Sequence, residues 1–459
     1  MGRPSWDFCT SVVTGPLRHA QPPQASGQAA GEDERVRVLD AVMSGVDGRF
    51  ARLWASSSAS ALGTGLVLIA APLLVATYSD DPVVVSAAFA VAWLPWLLFA
   101  LPAGVLVDRV DRRRLLVVLD VVRAAALVVL GAVVVAGSGG VALLYGVLFA
   151  VNACEVVSRI AGSTMVPDVV GDMSLERANG WLFGSATLMN GVLAGPLAGA
   201  LFALAAGVPF LVAAAAMAAG AVLLAVIPGR YPAPARPQPA GGPAEEPGRL
   251  RVALGEVGEA FGWLMRQQML RTMALLIGLL NLTYYAALAL LVLVAQQRLS
   301  LGSVGYGALL GCMAVGGLAG AAAGDRIIGW ATPTWTIRIG LLIEACLHLV
   351  LAASTSAVFV GVVFVIFGMH ASLWGIVATT LRQRLTPPEM LGRVGSATTF
   401  ISAGGNCAGA LLGGVLASAA GITAPYWVGF GLALLVSAST WRIFSRAAVA
   451  RAYTDGRAA

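Results

Sequence analysis

A run of 26 residues without a charged side chain, Pro82–Val107, is followed at once by six charged side chains in the seven positions 108–114. A helix needs roughly 20 apolar residues to cross a hydrocarbon core about 30 Å thick. Only 11% of the 459 residues are charged and 58% are hydrophobic, whereas soluble domains carry about 25% charged residues. The pattern therefore predicts an integral membrane protein with a charged loop at the membrane surface.

Twelve apolar segments of this kind follow one another, and none alternates between polar and apolar residues as a strand would. Because only helices or closed barrels satisfy the backbone hydrogen bonds in lipid, each segment is predicted to be a transmembrane helix. A Pro-rich segment divides them into two groups of six. The predicted spans are 53–77, 83–107, 115–136, 141–162, 180–206 and 208–228, then 272–295, 301–324, 335–353, 357–380, 395–419 and 422–441.

The chain accordingly divides into five predicted parts. A polar N-terminal tail without ordered structure and a short C-terminal tail flank two six-helix halves. The linker between the halves combines Pro-rich sequence with apolar residues at helical spacing, which indicates an amphipathic helix on the membrane surface. In chain order the parts are the tail 1–48, the first half 49–228, the linker 229–271, the second half 272–445 and the tail 446–459.

The positions of the arginines predict the orientation of the chain. They cluster before span 1, after span 12 and in the loops that follow even-numbered spans, whereas the alternate loops carry almost none. Positively charged loops favour the cytoplasmic side of a membrane. The chain is therefore predicted to be a multi-pass protein of the cell membrane with both termini in the cytoplasm.

The charged loop and the end of span 2 read GVLVDRVDRRRLL (104–116). This stretch resembles the loop 2–3 signature of the major facilitator superfamily, Gly-x-Leu-x-Asp-Arg-x-Gly-Arg-Arg/Lys, with Asp111 in place of the second glycine. The resemblance implies the major facilitator fold, all-α, with twelve transmembrane helices in two pseudo-symmetric six-helix halves. It also implies a gating motif, in which Asp108 faces the N-terminal end of span 11 and favours the outward-facing state. The motif residues here are Gly104, Asp108, Arg109, Arg112 and Arg113; the plain alternative is a solvated loop that only sets topology.

Span 5 contains GVLAGPLAG (191–199), which resembles the antiporter motif G-x-x-x-G-P-x-x-G of the same superfamily. Its motif residues are Gly191, Gly195, Pro196 and Gly199. Small residues four apart also allow helices to pack closely, so packing is the alternative to a bend that limits leakage. The loops after spans 4 and 10 resemble those of the branch that includes the enterobactin exporter. The resemblance thus implies efflux of a small amphipathic or hydrophobic compound, such as a drug, an antibiotic or a siderophore-like metabolite, by proton antiport with alternating access.

Charged side chains inside the spans are candidates for proton coupling, because ionisable groups within a membrane are costly and usually functional. Relatives in this branch often carry an acid in span 1, where this chain has Thr64. The carrier is therefore sought in two deeper pairs, Glu155 with Arg159 in span 4 and Glu344 with His348 in span 9, and Glu155 is favoured. Asp120 and Arg123 in span 3 are interpreted as a structural pair near a helix end.

Polar and aromatic residues inside the spans are candidates for lining a central substrate cavity, although a packing hydrogen bond is the alternative for each. They are Asn152, Asn190, Asn281, Tyr284, Tyr285, His370, Trp374 and Asn406.

Other functions find less support. No spacing of Cys, His, Asp or Glu predicts a metal or cofactor, no basic patch with interleaved aromatics predicts nucleic-acid binding, and no Walker motif predicts an ATP-driven permease. The outer loops are too short for the catalytic cluster of a membrane enzyme. An importer or uniporter of the same fold stays an open alternative. The expected partners are a small-molecule substrate, protons and the lipid bilayer, with the protein acting as a monomer.

Overall fold

Ten helices of the computed structural model are long and apolar enough to cross a membrane, within the residues that it describes: 47–107, 109–229, 231, 255, 258–259, 261–387 and 390–445. One of the ten, Ser303–Ala353, contains two helices that meet at a kink at Thr332. A further apolar helix, Ala424–Thr440, has 17 residues. Among the described residues no strand occurs, and the predicted all-α membrane fold class is confirmed.

The helices follow the predicted order in two sets of six. The first set is α1 (Gly48–Tyr78), α2 (Pro82–Val107), α3 (Arg112–Val135), α4 (Val141–Val169), α5 (Leu175–Leu204) and α6 (Val208–Ala225). The second set is α7 (Gln268–Gln297), α8 (303–331), α9 (333–353), α10 (Ala357–Leu385), α11 (Leu391–Ala420) and α12 (Ala424–Thr440). The tails and most of the linker, including the predicted amphipathic helix up to residue 254, lie outside the described residues.

Several helices are longer than their apolar spans, and the extra turns lie on one side. We call the side with residues 48–52, 109–114 and 382–393 the arginine-rich end, and the opposite side the arginine-poor end. At the arginine-rich end α1 begins five residues before its predicted span, and α4 ends seven residues beyond it. Hydropathy reports only the part of a helix in hydrocarbon, whereas backbone hydrogen bonding continues past it.

The predicted loop between spans 8 and 9, residues 325–334, is wrong. Helix α8 continues to residue 331 and α9 begins at Pro333, so that Thr332 alone makes the turn. Thr332 has a φ of 65°, a conformation that is uncommon for a residue other than glycine. Proline suits the first position of a helix, where no backbone N–H is needed, and this allows the second helix to begin directly after the kink.

Equivalent helices pack together in the two halves. Helix α1 packs on α5 as α7 packs on α11, α2 packs on α4 as α8 packs on α10, and α3 packs on α6 as α9 packs on α12. Among the described residues the halves contact each other mainly through two helix pairs, α2 with α11 and α5 with α8, and α7 adds smaller contacts with α1 and α2.

Glycines make the contact between the halves close at the arginine-poor end. A Cβ atom on Gly307 of α8 would lie 2.2 Å from the carbonyl oxygen of Gly195 in α5, and one on Gly199 would lie 2.4 Å from that of Ser303. On the other pair, a Cβ on Gly414 of α11 would lie 2.0 Å from Oγ of Ser86 in α2. Only glycine allows the backbones to approach this closely.

Close glycine contacts of this kind do not continue to the arginine-rich end among the described residues. Among the described residues, no atom lies within 4 Å of a Cβ built on Gly104 of α2 or on Gly392 and Gly395 of α11. The same holds for Gly180 of α5 and Gly329 of α8. The close backbone contacts between the halves therefore lie at the arginine-poor end within the described residues, and α5 and α8 separate toward the arginine-rich end.

We predict that Gly307→Ala lowers the thermal stability of the purified protein, because the added methyl group must push α5 and α8 apart. Overpacking of this kind costs about 1–3 kcal/mol. Gly329→Ala in the same helix is the matched control, and it should leave stability unchanged or raise it by about 0.5–1 kcal/mol, since alanine favours a helix. Equal melting temperatures for the two variants would show that the α5–α8 contact is not tight.

Candidate functional site

Four charged side chains of α3 and α4 meet in the middle of the first half. Arg123 lies midway along α3 and Glu155 midway along α4, where an unpaired charge is most costly. Arg123 is fully buried. Its Nη2 lies 2.9 Å from Oε2 of Glu155, and its Nη1 donates to Oδ1 of Asp120 at 3.2 Å. Arg159 supplies the second positive charge, so that the four formal charges sum to zero.

Two hydroxyl groups of α1 complete this cluster. Arg123 donates to Oγ of Ser60 at 2.9 Å and to Oγ1 of Thr64 at 2.6 Å. Oγ1 of Thr64 in turn donates to Oε2 of Glu155 at 3.4 Å. Thr64 stands where the sequence resemblance leads one to expect an acid, and Glu155 brings a carboxylate to the same place from α4.

Two adjoining cavities, of about 190 and 500 Å³, meet at the cluster. Thr64, Glu155, Arg159 and Asn190 line both of them. We call the smaller one the aromatic cavity, after Phe89, Trp93 and Trp96. The larger one is the serine cavity, after Ser56, Ser57, Ser60, Ser158 and Ser163. The serine cavity extends toward the arginine-rich end, where Leu53, Leu116 and Leu224 line it.

Arg159 is the most exposed member of the cluster. Its side chain is 64% exposed, against 15% for Glu155. Its Nη2 donates to Oε1 of Glu155 at 3.4 Å, which is long for a charge-assisted hydrogen bond. The carbon of its guanidinium group lies 5.2 Å from the centre of the Trp96 ring, within the range of a cation–π contact.

Aromatic rings from both halves meet beside the aromatic cavity. Tyr285 of α7 makes edge contacts with Trp93 and Phe89 of α2, with ring centres 5.3 and 6.4 Å apart. Trp93 also lies 6.0 Å from Trp96. These rings bridge the two halves, and they form an apolar wall beside the charged cluster.

The other predicted pair, Glu344 with His348, lies inside the second half. Glu344 is 4% exposed and His348 is fully buried. Nδ1 of His348 lies 2.9 Å from the backbone oxygen of Glu344 and 3.9 Å from its Oε1. That Oε1 accepts no hydrogen bond within the described part of the chain. Asp120 lies at the corresponding place in α3 but has an arginine partner, which Glu344 lacks among the described residues.

Two of the predicted cavity residues, Asn152 and Asn190, line the aromatic cavity. The remaining ones belong to the second half, and neither of the two cavities includes them. Asn281 donates to Oγ of Ser402, and Tyr284 donates to Sδ of Met313 and stacks on Phe367. Tyr285 contacts Trp93 of the first half, and His370 packs on Gly340. Trp374 packs against an apolar cluster, and Asn406 is buried.

Asp108, the carboxylate of the predicted gating motif, lies outside the described residues. Gly104 faces open space, and the backbone N–H of Arg109 donates to the carbonyl of Leu106 at 3.1 Å. Asp111, which departs from the family signature, caps α3 by accepting from the backbone N–H groups of Arg114 and Tyr231 at 2.9 Å. Burial alone would raise the pKa of Asp111, but these donors hold it below its usual value.

The two remaining motif arginines join helices of the first half. Arg112 is buried and pairs with Asp168 near the end of α4, at 2.9 Å. Arg113 donates to the carbonyls of Ala225 and Ile227 at the end of α6. Cations suit a helix C-terminus, where carbonyl groups lack partners. The loop thus holds the ends of α3, α4 and α6 together.

The ion pair between Arg123 and Glu155 and the role of Trp93 and Trp96 were not anticipated from the sequence. Spacing along one helix indicated the pairs Asp120–Arg123 and Glu155–Arg159, but it carries no information on which faces of α3 and α4 meet. The tryptophans were open to prediction, since residues three apart share one helix face.

The chain matches the Major Facilitator Superfamily over residues 53–410, and it therefore belongs to this superfamily. It is a membrane transporter of the MFS type. Uncharacterized MFS-type transporters of Mycobacterium tuberculosis and Mycobacterium bovis are each 37% identical over 124 residues, which cover 26% of this chain and 28% of the relative. The similar region is thus little more than a quarter of the curated relatives' length.

Solved transporter structures share the fold. The nucleoside transporter NupG superimposes with a TM-score of 0.66 at 11% identity, over 86% of this chain and 98% of that one. A bacterial homologue of the iron transporter ferroportin gives 0.65 at 18% identity, over 87% and 99%. A bacterial homologue of the human lysosomal transporter Spinster gives 0.62 at 15% identity, over 89% and 96%. At these identities the likeness shows the fold alone.

We predict that Arg123→Gln strongly destabilises the protein, because it leaves Asp120 and Glu155 close together without their shared cation. Breaking a buried ion pair by removing one partner costs about 3–5 kcal/mol. The double variant Arg123→Gln/Asp120→Asn removes the charge of Asp120, whereas Glu155 still has Arg159 beside it, and should recover part of the loss. Thermal unfolding in detergent measures both, with Arg159→Gln as the exposed control. A double variant less stable than Arg123→Gln would contradict the shared-cation arrangement.

Proposed function

We propose that this transporter exports a small amphipathic or hydrophobic compound, such as a drug, an antibiotic or a siderophore-like metabolite, by proton antiport with alternating access. One observation carries the proposal. The charged cluster and its two cavities lie in the middle of the first half, the serine cavity extends toward the arginine-rich end, and glycine contacts close the arginine-poor end. A polar site reached from one side at a time is what alternating access requires.

The direction of opening follows from the arginines. If the arginine-rich end faces the cytoplasm, as the positive-inside rule indicates, both termini are cytoplasmic in the cell membrane and this is an inward-facing state. An exporter takes up its substrate in that state. Gly195 and Gly199 of the antiporter motif lie in the closed contact with α8, which supports a role in limiting leakage.

For the proton, the contacts favour Glu344 over Glu155. Protonating Glu155 would break its ion pairs with Arg123 and Arg159. Glu344 can take up a proton without breaking any ion pair to an arginine in the described part of the chain, and His348 beside it supplies a second titratable group. We therefore assign proton carriage to Glu344 with His348, and substrate contact to the cluster in the first half.

The gating role of Asp108 is kept as part of the proposal. In the outward-facing state, Gly104 would allow α2 to approach α11, and the Asp108 carboxylate would face the N-terminal end of that helix, where a negative charge is favourable. The transporter is proposed to act as a monomer in the lipid bilayer.

Everted membrane vesicles from a pump-deficient bacterium that expresses the protein test the proposal. Respiration acidifies the vesicle lumen, and pyranine trapped there reports its pH. Addition of an exported amphipathic compound should raise the luminal pH, because a proton leaves the lumen for each compound that enters it. Empty-vector vesicles should not respond. Uptake that persists unchanged after nigericin and a protonophore have collapsed the proton gradient, with ATP constant, would contradict antiport. Accumulation by intact cells would identify an importer or a uniporter.

Variants then locate the proton carrier. Glu344→Gln should abolish the substrate-linked change in luminal pH while exchange of labelled compound across the membrane continues, since exchange needs no net proton transfer. Glu176→Gln, which removes an exposed carboxylate at the start of α5, is the matched control and should behave as the wild type. If Glu344→Gln keeps full proton coupling, the carrier is not Glu344.

A further inference from the structure

The two arginines of the cluster stand in different situations. Arg123 is fully buried, and two carboxylates and two hydroxyl groups contact its guanidinium nitrogens. Arg159 makes one long hydrogen bond, to Glu155, and is the arginine among the residues that line the two cavities. A guanidinium group has five N–H donors in a planar fork. Most of the donors of Arg159 therefore have no acceptor among the described residues, and Arg159 lines both cavities.

The surroundings of Arg159 fit the two ends of an amphipathic anion. An open guanidinium group binds a carboxylate through two parallel hydrogen bonds. Next to it, Phe89, Trp93 and Trp96 form the apolar wall of the aromatic cavity, which suits a flat or apolar body. The ring of Trp96 contacts the guanidinium group and holds it between the two regions.

In the absence of ligand, one oxygen of Glu155 occupies part of the position at Arg159 that a ligand carboxylate would take. Arg123 and Thr64 hold its Oε2, and only its Oε1 reaches toward Arg159. A ligand carboxylate can therefore replace Oε1 at Arg159 while Glu155 keeps its other contacts.

We propose that Arg159 and Trp96 form the binding site for an organic monocarboxylate with an apolar or aromatic body, and that Glu155 competes with this ligand for Arg159. The inference rests on the proposed transport of an amphipathic compound through these cavities, and it names the charge of that compound. It requires neither a direction of transport nor a coupling ion.

Equilibrium binding to the purified full chain in non-ionic detergent, without any gradient, tests the site. The probes are 2-naphthoate, 2-naphthamide and protonated 2-naphthylmethylamine, which share one ring system and differ in charge. Calorimetric titration against protein and against empty micelles gives the dissociation constants. We expect 2-naphthoate to bind about tenfold more tightly than the amide, as a charge-assisted hydrogen bond provides, and the ammonium probe to bind most weakly.

Variants separate this site from a structural ion pair. Arg159→Gln should bring the naphthoate and amide affinities together, and Arg159→Lys should keep part of the preference. Glu155→Gln should strengthen naphthoate binding several-fold and leave amide binding unchanged, since the competitor loses its charge while Asp120 still pairs with Arg123. Arg338→Gln is the matched control: Arg338 also stacks on tryptophan, Trp441, but lies outside both cavities, and both affinities should stay as in the wild type.

Several results would overturn the proposal. These are equal binding of all three probes, a preference for the ammonium probe, no saturable naphthoate binding up to about 1 mM, and a charge preference that survives in Arg159→Gln. The proposed function can fail separately. Naphthoate binding through Arg159 without any substrate-linked proton movement in vesicles would remove proton antiport and keep this site, whereas proton-linked export of neutral compounds alone would remove this site and keep antiport.

Discussion

The burial of Arg123 between two carboxylates is the interaction on which the rest of the site depends. A guanidinium group in the middle of a membrane helix is tolerated only with partners inside the protein, and Asp120, Glu155, Ser60 and Thr64 supply them from three helices. This arrangement fixes α3, α4 and α1 against one another. It also occupies Oε2 of Glu155, so that Arg159 contacts only the other oxygen of this carboxylate, and within the described part of the chain most donors of Arg159 have no acceptor.

The glycine contacts between the halves and the charged cluster act at different depths. Gly195, Gly199 and Gly307 bring α5 and α8 together at the arginine-poor end. A seven-residue π-helical segment, Thr187–Leu193, lies between this contact and the arginine-rich half of α5. Asn190 of that segment lines both cavities. Irregular turns of this type recur at functional sites. The two cavities thus adjoin an irregular segment of α5.

Hydropathy and arginine positions were enough to predict the order of the helices and nearly all of their hydrocarbon parts, since both are local properties of the chain. The predicted loop 325–334 was wrong because the polar residues Asp325 and Arg326 end the apolar run, whereas the backbone stays helical past them and turns at Thr332 alone. The pair Glu155–Arg159 was visible at i, i+4 spacing, whereas the contact of Arg123 with Glu155 depends on the rotation of α3 relative to α4. Asp111 departs from the motif in the sequence, and only the fold shows that it caps α3 and also accepts from the backbone N–H of Tyr231.

Distances between spin labels test most directly the central claim, that the two halves open at one end while they close at the other. Labels on cysteines that replace Gly180 and Gly329 report the arginine-rich end, and labels at Leu204 and Gly302 report the arginine-poor end, where these positions are exposed or face open space. For each pair we expect two distances, a short and a long one. Between mildly acidic and mildly alkaline pH, the population with the long distance should fall for one pair and rise for the other. A single distance for each pair that is unchanged by pH and by amphipathic compounds would contradict the claim.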